Sequence, residues 1–364
     1  MRILLTLLAL MLIAFAAASQ ETRVSTQPAT PVYEEGQKLL KDGKATDAAA
    51  KFAEAAKQGN ADAMNELGKL YLTGNGVNQD AVEANKHFEE AVKLGNMRSA
   101  TNLGISYKEA RGVEQDHKKA AELLTKAADA GIAVAQYQLA EMYAFYMGMA
   151  VNPETLKTNP AKALELYTKA AEQGIPQAQY QVGYYYIWGP DEDKHDPKLA
   201  IEWLRKAAAS NDLKILTDIG RLLQDEYGPI YDPAGAVQVL TPAAQAGHPD
   251  AQFYLGKLLY YGRGTKKDVA TAVNLYNAAA QQGQSDAMYA LARLYLSGEG
   301  VEKNPQRAYI LAEMAIDGGV SWDGEEGFAK VTRAEAKDLL TPEQLAEAQA
   351  ALEQNRAAQK AAPK

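Results

Sequence analysis

Histidine is the side chain best suited to proton transfer or metal binding near neutral pH, and the chain has four of them. His87, His117, His195 and His248 lie far apart, and no two are four residues apart beside a carboxylate. That spacing would place two ring nitrogens on one face of a helix, where they could hold a zinc ion. The chain has no cysteine, which removes thiolate ligands, disulfides and a cysteine nucleophile. We therefore predict no metal site and no catalytic residue.

Short motifs for nucleotide or ester chemistry are also missing from the sequence. Neither the phosphate-binding pattern G-x-x-x-x-G-K-[ST] nor the nucleophile pattern G-x-S-x-G occurs. The pairs Gly262/Gly264 and Gly298/Gly300 look like pieces of a phosphate loop, but they recur in register and are explained by a repeat. We predict no cofactor. The net charge of −8 argues against nucleic-acid binding, which needs a basic surface.

Aromatic and basic residues indicate binding rather than catalysis, because some recur at a constant spacing. Arg221, Lys257 and Arg293 are 36 residues apart, and so are Phe253 and Tyr289. A ladder of positive charge in an acidic chain favours an anionic partner, either an acidic peptide or an anionic polysaccharide. Arginine and tyrosine are also enriched in protein interfaces. The alternative is that the cations only keep the surface soluble while the aromatic rings pack on neighbouring helices.

The elements that must position these residues form a repeat. Its clearest marker is a residue that ends a helix, and successive markers are 36, 36, 43, 37, 36, 36 and 36 residues apart. All but one are glycine, and the exception is asparagine, the residue after glycine that best tolerates a left-handed helix end. The markers are Gly59, Gly95, Gly131, Gly174, Asn211, Gly247, Gly283 and Gly319. Each repeat contains two amphipathic helices, which need neighbouring pairs to cover their apolar faces.

Columns of equivalent residues predict how these helices begin and pack. The residue eleven before each marker is always alanine, which indicates a close helix contact. These alanines are Ala48, Ala84, Ala120, Ala163, Ala200, Ala236, Ala272 and Ala308. The residue fifteen before each later marker is a good N-cap for the second helix of the pair. These caps are Asp80, Asp116, Asn159, Asp196, Asp232, Asp268 and Asn304.

The first helix of each pair carries a further pattern, A-x-x-x-L-G-x-x-Y, followed by G-x-G-V, D-x-x-x-A and a closing glycine. One unit shows it at Ala63, Leu67, Gly68, Tyr71, Gly74, Gly76, Val77, Asp80, Ala84, Ala91 and Gly95. This pattern resembles the Sel1-like repeat, a longer relative of the tetratricopeptide repeat, over roughly residues 33–319. The resemblance implies an all-α fold, a right-handed superhelical solenoid of about eight antiparallel helix pairs ended by capping helices. It implies a fold and not a chemistry.

The resemblance also assigns a binding surface. Positions six, ten and thirteen after each marker lie opposite the packed columns on a helical wheel, and their equivalents in tetratricopeptide repeats line a concave groove. The groove residues implied in this way are Tyr137, Tyr180, Tyr184, Arg221, Phe253, Lys257, Tyr260, Tyr289 and Arg293.

The two ends of the chain differ from the repeats. Residues 1–18 combine Arg2, an apolar run and three alanines, the layout of a cleaved signal peptide, although an uncleaved membrane anchor is the alternative. We expect export to the periplasm and no membrane span after cleavage. A disordered tether is expected over 19–31, the solenoid over 32–319, capping helices over 320–353 and a flexible tail over 354–364. In the capping region, Thr341 and Gln344 should form a capping box.

Three classes of function remain open, and a non-catalytic adaptor that holds an envelope protein or peptide is the one we favour. Proteins with such repeats include scaffolds of polysaccharide secretion, partners of flagellar motor proteins and periplasmic inhibitors of sensor kinases. The resemblance thus also allows a regulator of a sensor kinase or of exopolysaccharide production. A regulatory ligand released by proteolysis is a second class, with Glu226 in the most degenerate unit as its weak point. A hydrolase or penicillin-binding activity is the third, but this chain lacks the cysteines of the relatives concerned.

Overall fold

The structure is a computed structural model and describes residues 30–144, 159–319 and 325–361. Within these ranges the chain forms eighteen α-helices and one short 3₁₀ helix, Glu192–Lys194, and no β-strand. This confirms the predicted all-α fold. The predicted signal peptide and nearly all of the predicted tether lie outside the described residues. None of the described helices is both long and apolar enough to cross a bilayer.

Two compact units divide the chain, residues 1–203 and residues 204–364. The helices of the first unit are α1 Pro31–Lys41, α2 Ala45–Lys57, α3 Ala61–Thr73, α4 Ala81–Lys93, α5 Met97–Glu109, α6 His117–Asp129, α7 Ala133–Tyr143, α8 Pro160–Glu172 and α9 Pro176–Trp188. Helix α10, Pro197–Ala208, contains the boundary between the units. From α1 to α9, each helix packs against the next one along the chain, as stacked helix pairs require.

The second unit repeats this arrangement. Its helices are α11 Leu213–Leu223, α12 Pro233–Gln245, α13 Pro249–Tyr261, α14 Val269–Gln281, α15 Ser285–Ser297, α16 Pro305–Asp317, α17 Glu325–Asp338 and α18 Pro342–Ala361. Consecutive helices pack together from α11 to α17, and α18 packs back against α16. The first helices of successive pairs also meet, since α11 contacts α13 and α15 contacts α17.

In every pair after the first, the second helix begins at the N-cap that the sequence predicts. Asp80 Oδ1 accepts hydrogen bonds from the backbone N–H groups of Val82 and Glu83, at 2.9 and 3.0 Å. Equivalent backbone bonds are accepted by Asp116, Asn159, Asp196, Asp232, Asp268 and Asn304. These bonds satisfy backbone donors that a helix leaves open in its first turn.

The repeat markers have the left-handed backbone that their residue types predict. The seven marker glycines have φ between 71° and 91°, and Asn211 has φ of 57°. Among the described residues, only one other non-glycine residue, Ala110, has a positive φ, also 57°. Glycine is the residue for which this region has no steric cost, which explains the regular column.

The alanine column is buried in the core. All eight of its members are at most 1% exposed. The glycine loops also contribute to packing, because a Cβ atom at Gly76 would overlap the backbone of Ala45 at the start of α2. Gly264 stands in the same relation to Pro233 at the start of α12. A glycine loop in one pair therefore lies directly on the second helix of the preceding pair, which confirms that successive pairs adjoin within each unit.

The last two helices cover the end of the repeats. Thr341 and Gln344 form the predicted capping box, with reciprocal bonds of 3.0 and 3.2 Å, at the start of α18. Helix α18 packs on α16 through Leu345, Ala348 and Leu352. Residues 354–361, expected to form a flexible tail, instead continue α18, and Arg356 forms an ion pair with Asp317 at 2.7 Å.

Candidate interaction cleft

The aromatic residues of the sixth position do not face solvent in the second unit. Phe253 on α13 and Tyr289 on α15 are only 8% and 9% exposed. The Phe253 ring packs against the rings of Tyr254 and Tyr276, with centroids 5.2 and 6.0 Å apart. The expectation that both side chains line an open groove is therefore wrong. This position turns toward neighbouring helices, so a large ring there joins the core.

Three predicted groove tyrosines lie in the first unit and are half-buried, Tyr137 on α7 and Tyr180 and Tyr184 on α9. The Tyr137 hydroxyl donates a hydrogen bond to Glu141 at 2.8 Å, and burial together with this carboxylate raises the pKa of the phenol. The rings of Tyr180 and Tyr184 lie 6.2 Å apart. The part of these three residues in binding stays a prediction.

The predicted basic ladder lies on the first helices of three pairs in the second unit. Arg221 on α11 and Arg293 on α15 are exposed, and Lys257 on α13 is half-buried. The charges around the neighbouring Tyr254 show that the surface also carries negative groups. Burial is the main cause that raises the pKa of Tyr254 to about 12, and Arg221 opposes this shift. The carboxylates of Asp250, Asp286 and Asp218 raise the pKa of Tyr254 further. The surface is therefore of mixed charge rather than a continuous basic strip.

A cleft of about 370 Å³ opens in the second unit between α13, α14, α15 and α17. Its walls combine aromatic rings, one arginine, two carboxylates and an apolar floor. The lining residues are Tyr260, Tyr261, Tyr276, Ala290, Arg293, Leu294, Leu296, Ser297, Glu299, Thr332 and Glu335. Two of the predicted groove residues, Tyr260 and Arg293, thus come together in one concave site, whereas Phe253, Lys257 and Tyr289 do not line it.

Glycine loops set the positions of the residues on the rim of the cleft. Gly262 ends α13 with φ of 69°, so Tyr260 and Tyr261 are the last two residues of that helix. Gly298 ends α15 with φ of 81° and is followed by Glu299. Because each helix stops abruptly at a left-handed glycine, the tyrosine pair and the glutamate stay at fixed places on the rim.

Glu299 ties the two glycine loops together. The Tyr260 hydroxyl donates to Glu299 Oε2 at 2.6 Å, and Lys267 Nζ donates to Glu299 Oε1 at 3.1 Å. Burial, and then the bond to Glu299, raise the pKa of Tyr260 to about 12. The same bond, together with the one from Lys267, lowers the pKa of Glu299. At neutral pH the pair is therefore a neutral donor and an anion whose two oxygens are both engaged.

Arg293 lies in a different environment, among tyrosine rings. Burial lowers its pKa, but the side chains of Tyr289 and Tyr261, including a hydrogen bond with Tyr261, raise it overall. Within the described residues, no carboxylate forms an ion pair with Arg293, although the guanidinium lines the cleft and is exposed. Its remaining N–H donors can bind an anionic group from outside.

The sequence did not indicate four important members of this cleft. Tyr261 ends α13 just before its glycine loop, and Glu299 lies in the glycine loop after α15. The only signal for Tyr261 in the sequence was its position next to Tyr260. Thr332 and Glu335 lie on α17, which is not part of a repeat, so no column could place them. They reach the cleft because this capping helix packs beside α15.

The histidines and carboxylates of the described residues do not form a cluster suited to a metal ion. The described part of the chain contains no group of three or more histidine, aspartate or glutamate side chains that could hold one. Three histidines have structural neighbours, because His87 stacks on Tyr71 with centroids 5.5 Å apart, His195 Nε2 lies 2.8 Å from the Gly189 carbonyl, and His248 contacts Thr217.

Helix pairs of about 36 residues that close on a glycine and stack in register define an α-helical repeat protein. The Sel1 repeat matches residues 61–96, 98–132, 133–175, 176–212, 249–284 and 285–320. These segments make up more than half of the chain, and the protein belongs to the Sel1 repeat family. Residues 213–248 are not matched. In this unit Ile215 takes the place of a small residue and Glu226 takes the place where the first loop glycine usually stands.

Solved structures of similar proteins share this fold. A protective antigen present in uropathogenic Escherichia coli strains is 28% identical, with a TM-score of 0.73 over 88% of this chain and 68% of that chain. A Sel1 repeat protein from Oxalobacter formigenes is 27% identical, with a TM-score of 0.55 over 82% and 85%. No curated protein sequence matches the chain. Sel1 repeat proteins generally mediate protein–protein interactions and are typically non-catalytic scaffolds.

Proposed function

We propose that this protein is a non-catalytic adaptor of the cell envelope that holds a protein partner on the first-helix surface of its second unit. The observation that carries this proposal is the cleft beside Tyr260, Tyr261 and Arg293, which combines concavity with residue types that are enriched in protein interfaces. Location in the periplasm rests on the signal-peptide layout of residues 1–18.

The experiment is the capture of a partner from periplasmic extract, followed by reconstitution of the complex from the two purified proteins. A triple variant, Arg221→Glu, Lys257→Glu and Arg293→Glu, reverses the charge of the proposed surface. We expect it to lose the complex, and we expect the wild-type complex to weaken at high salt because exposed charge contacts are screened.

A matched triple variant carries the same change in charge elsewhere. Lys118→Glu, Lys126→Glu and Lys198→Glu alter exposed lysines on the second helices α6 and α10 and should leave the complex intact. An unchanged complex in the first triple variant, with unchanged thermal unfolding, would reject this surface. Mass measurement of the mature amino terminus in the periplasmic fraction tests the localisation, and an intact Met1 would reject signal cleavage.

A further inference from the structure

We propose that the cleft between α13, α14, α15 and α17 binds a peptide segment with one carboxylate, a neighbouring basic side chain and a small apolar side chain. This rests on the proposed adaptor function, because the segment is taken to belong to the protein partner. It assigns the capping helix α17 a place in ligand binding as well as in covering the repeats.

The carboxylate site follows from comparing Arg293 with the other cations of this rim. Lys267 is paired with Glu299 at 3.1 Å, and Arg263 is paired with Glu226 at 3.1 Å. Arg293 has tyrosine neighbours and helps to lower the pKa of Glu299, but it forms no ion pair with a carboxylate within the described part of the chain. An arginine fork that stays charged and is partly desolvated is suited to a carboxylate, which it can bind through two parallel hydrogen bonds.

The second charge follows from Glu335 on α17. Its side chain lines the same cleft, is exposed, and forms no ion pair with any residue that the structure describes. A basic group placed there would complement it. The same glutamate argues against an anionic polysaccharide, because a regular polyanion that reached Arg293 would also meet Glu335 and Glu299. The pattern of charge therefore favours a peptide with both signs.

The apolar site is the floor of the cleft. Tyr276 and Leu294 are buried beneath it, and Ala290 and Leu296 are partly exposed along its sides. A volume of about 370 Å³ falls at the lower end of the range for ligand pockets, which is roughly 300–1,000 Å³. The cleft can therefore accept a few side chains of an extended segment.

Contacts within the protein hold the walls of the cleft in place without a ligand. Tyr260 and Tyr261 pack edge to face with centroids 4.8 Å apart, and Tyr260 is bonded to Glu299 across the two glycine loops. A Cβ atom at Gly300 would overlap Val269, which fixes the second loop against α14. A site fixed in this way loses little conformational freedom on binding, which favours affinity for a short segment.

The test is selection of heptapeptides from a random displayed library on the full-length protein, followed by titration calorimetry with the enriched peptides. We expect enrichment of aspartate or glutamate close to lysine or arginine. Arg293→Gln should weaken the binding of these peptides about tenfold or more, because a charge-assisted hydrogen bond is lost. The affinity of Arg293→Lys should lie between those of the wild type and Arg293→Gln. Glu335→Gln should weaken only peptides that contain the basic residue, compared with versions in which that residue is alanine.

Two control variants carry the same substitutions outside the cleft. Arg307→Gln removes an exposed arginine that stacks on Tyr295 at 4.5 Å, and Glu353→Gln removes an exposed carboxylate on α18. Neither should change peptide binding. Absence of any enriched peptide, or equal binding of the enriched peptides to Arg293→Gln, would overturn the proposal. Binding of alginate that is lost in Arg293→Gln, without peptide binding, would assign the cleft to a polysaccharide instead.

The outcomes also separate this proposal from the adaptor function. If the reconstituted complex survives Arg293→Gln unchanged, the adaptor function stands and the cleft is not its binding site. If peptides bind in the cleft and no partner is captured from the periplasmic extract, the cleft assignment stands and the adaptor function in that compartment fails.

Discussion

Gly68 on α3 lies directly against the ring of Phe88 on α4. A Cβ atom at Gly68 would stand 2.5 Å from Phe88 Cε1, and Phe88 is fully buried. The same relation recurs where a Cβ atom would crowd a buried side chain of the second helix, at Gly104 with Leu124, Gly220 with Leu240 and Gly256 with Tyr276. The glycine column therefore exists because a large side chain of the partner helix fills the space of a Cβ atom.

Gly68→Ala should lower the free energy of unfolding by about 1–3 kcal/mol, the usual cost of overpacking a core. This loss should appear although alanine favours a helix over glycine by about 0.5–1 kcal/mol. Urea denaturation measures it. The loss should shrink in a Phe88→Leu background, where the ring is absent. Gly327→Ala on α17, where a Cβ meets nothing within 4 Å, should cost nothing. Equal effects of the two alanine substitutions would contradict the packing argument.

Ala110→Gly should stabilise the protein by up to about 1 kcal/mol. Ala110 ends α5 with φ of 57°, a region that is strained for a residue with a Cβ atom, and the equivalent residues Gly74, Gly262 and Gly298 are glycines. Thermal unfolding measures the gain. Ala130→Gly is the control, because Ala130 ends α6 with φ of −76° and has no strain to relieve, so glycine there should destabilise. A loss of stability in both variants would show that Ala110 is not strained.

Gly264→Ala should destabilise the protein more than Gly283→Ala, by about 2 kcal/mol. Both glycines have a left-handed backbone, with φ of 70° and 88°. They differ in surroundings, because a Cβ at Gly264 would overlap the Pro233 backbone whereas one at Gly283 meets nothing within 4 Å. The difference between the two urea midpoints therefore isolates the contact between successive helix pairs. Equal losses would show that the loop glycines serve only the turn.

The sequence predicted the parts of the fold that repeat, because each column of equivalent residues is seen several times and a chance residue in one repeat does not hide the pattern. The alanine column, the N-caps and the left-handed Asn211 were all placed in this way, and all are confirmed. The capping box of Thr341 and Gln344 was also predicted, because capping is a local interaction that needs only a spacing of three residues.

The candidate site was predicted only in part, because its formation depends on tertiary neighbours. Phe253 and Tyr289 share a register with polar residues of other units, and the helical wheel alone did not show that neighbouring helices bury this position. Glu335 lies on a helix outside the repeat, so its place in the same cleft as Arg293 follows from the packing of α17 beside α15. No spacing along the chain encodes the packing of these two helices.

The cap of α14 gives the protein a component of stability that depends on pH. Asp268 Oδ1 accepts the Thr271 N–H at 3.0 Å, and Oδ2 accepts the Thr271 hydroxyl at 2.7 Å. These bonds, first the backbone bond and then the hydroxyl bond, lower the pKa of Asp268 in the folded protein. The unfolded chain then binds more protons at Asp268 than the folded chain does in acid, so the contribution is complete above the unfolded pKa of roughly 3.9 and is lost as the pH falls through the lower folded pKa.

Asp268→Asn should remove this dependence while keeping a capping side chain, as the equivalent Asn304 does at the start of α16. The wild type should be the more stable protein at neutral pH, and the difference between the two urea midpoints should shrink toward zero between about pH 5 and pH 2. Asp225→Asn is the control, because it removes a carboxylate from an exposed turn between α11 and α12 and not from a helix cap. A difference between wild type and Asp268→Asn that stays constant across this range would show that the charge of Asp268 does not contribute to the cap.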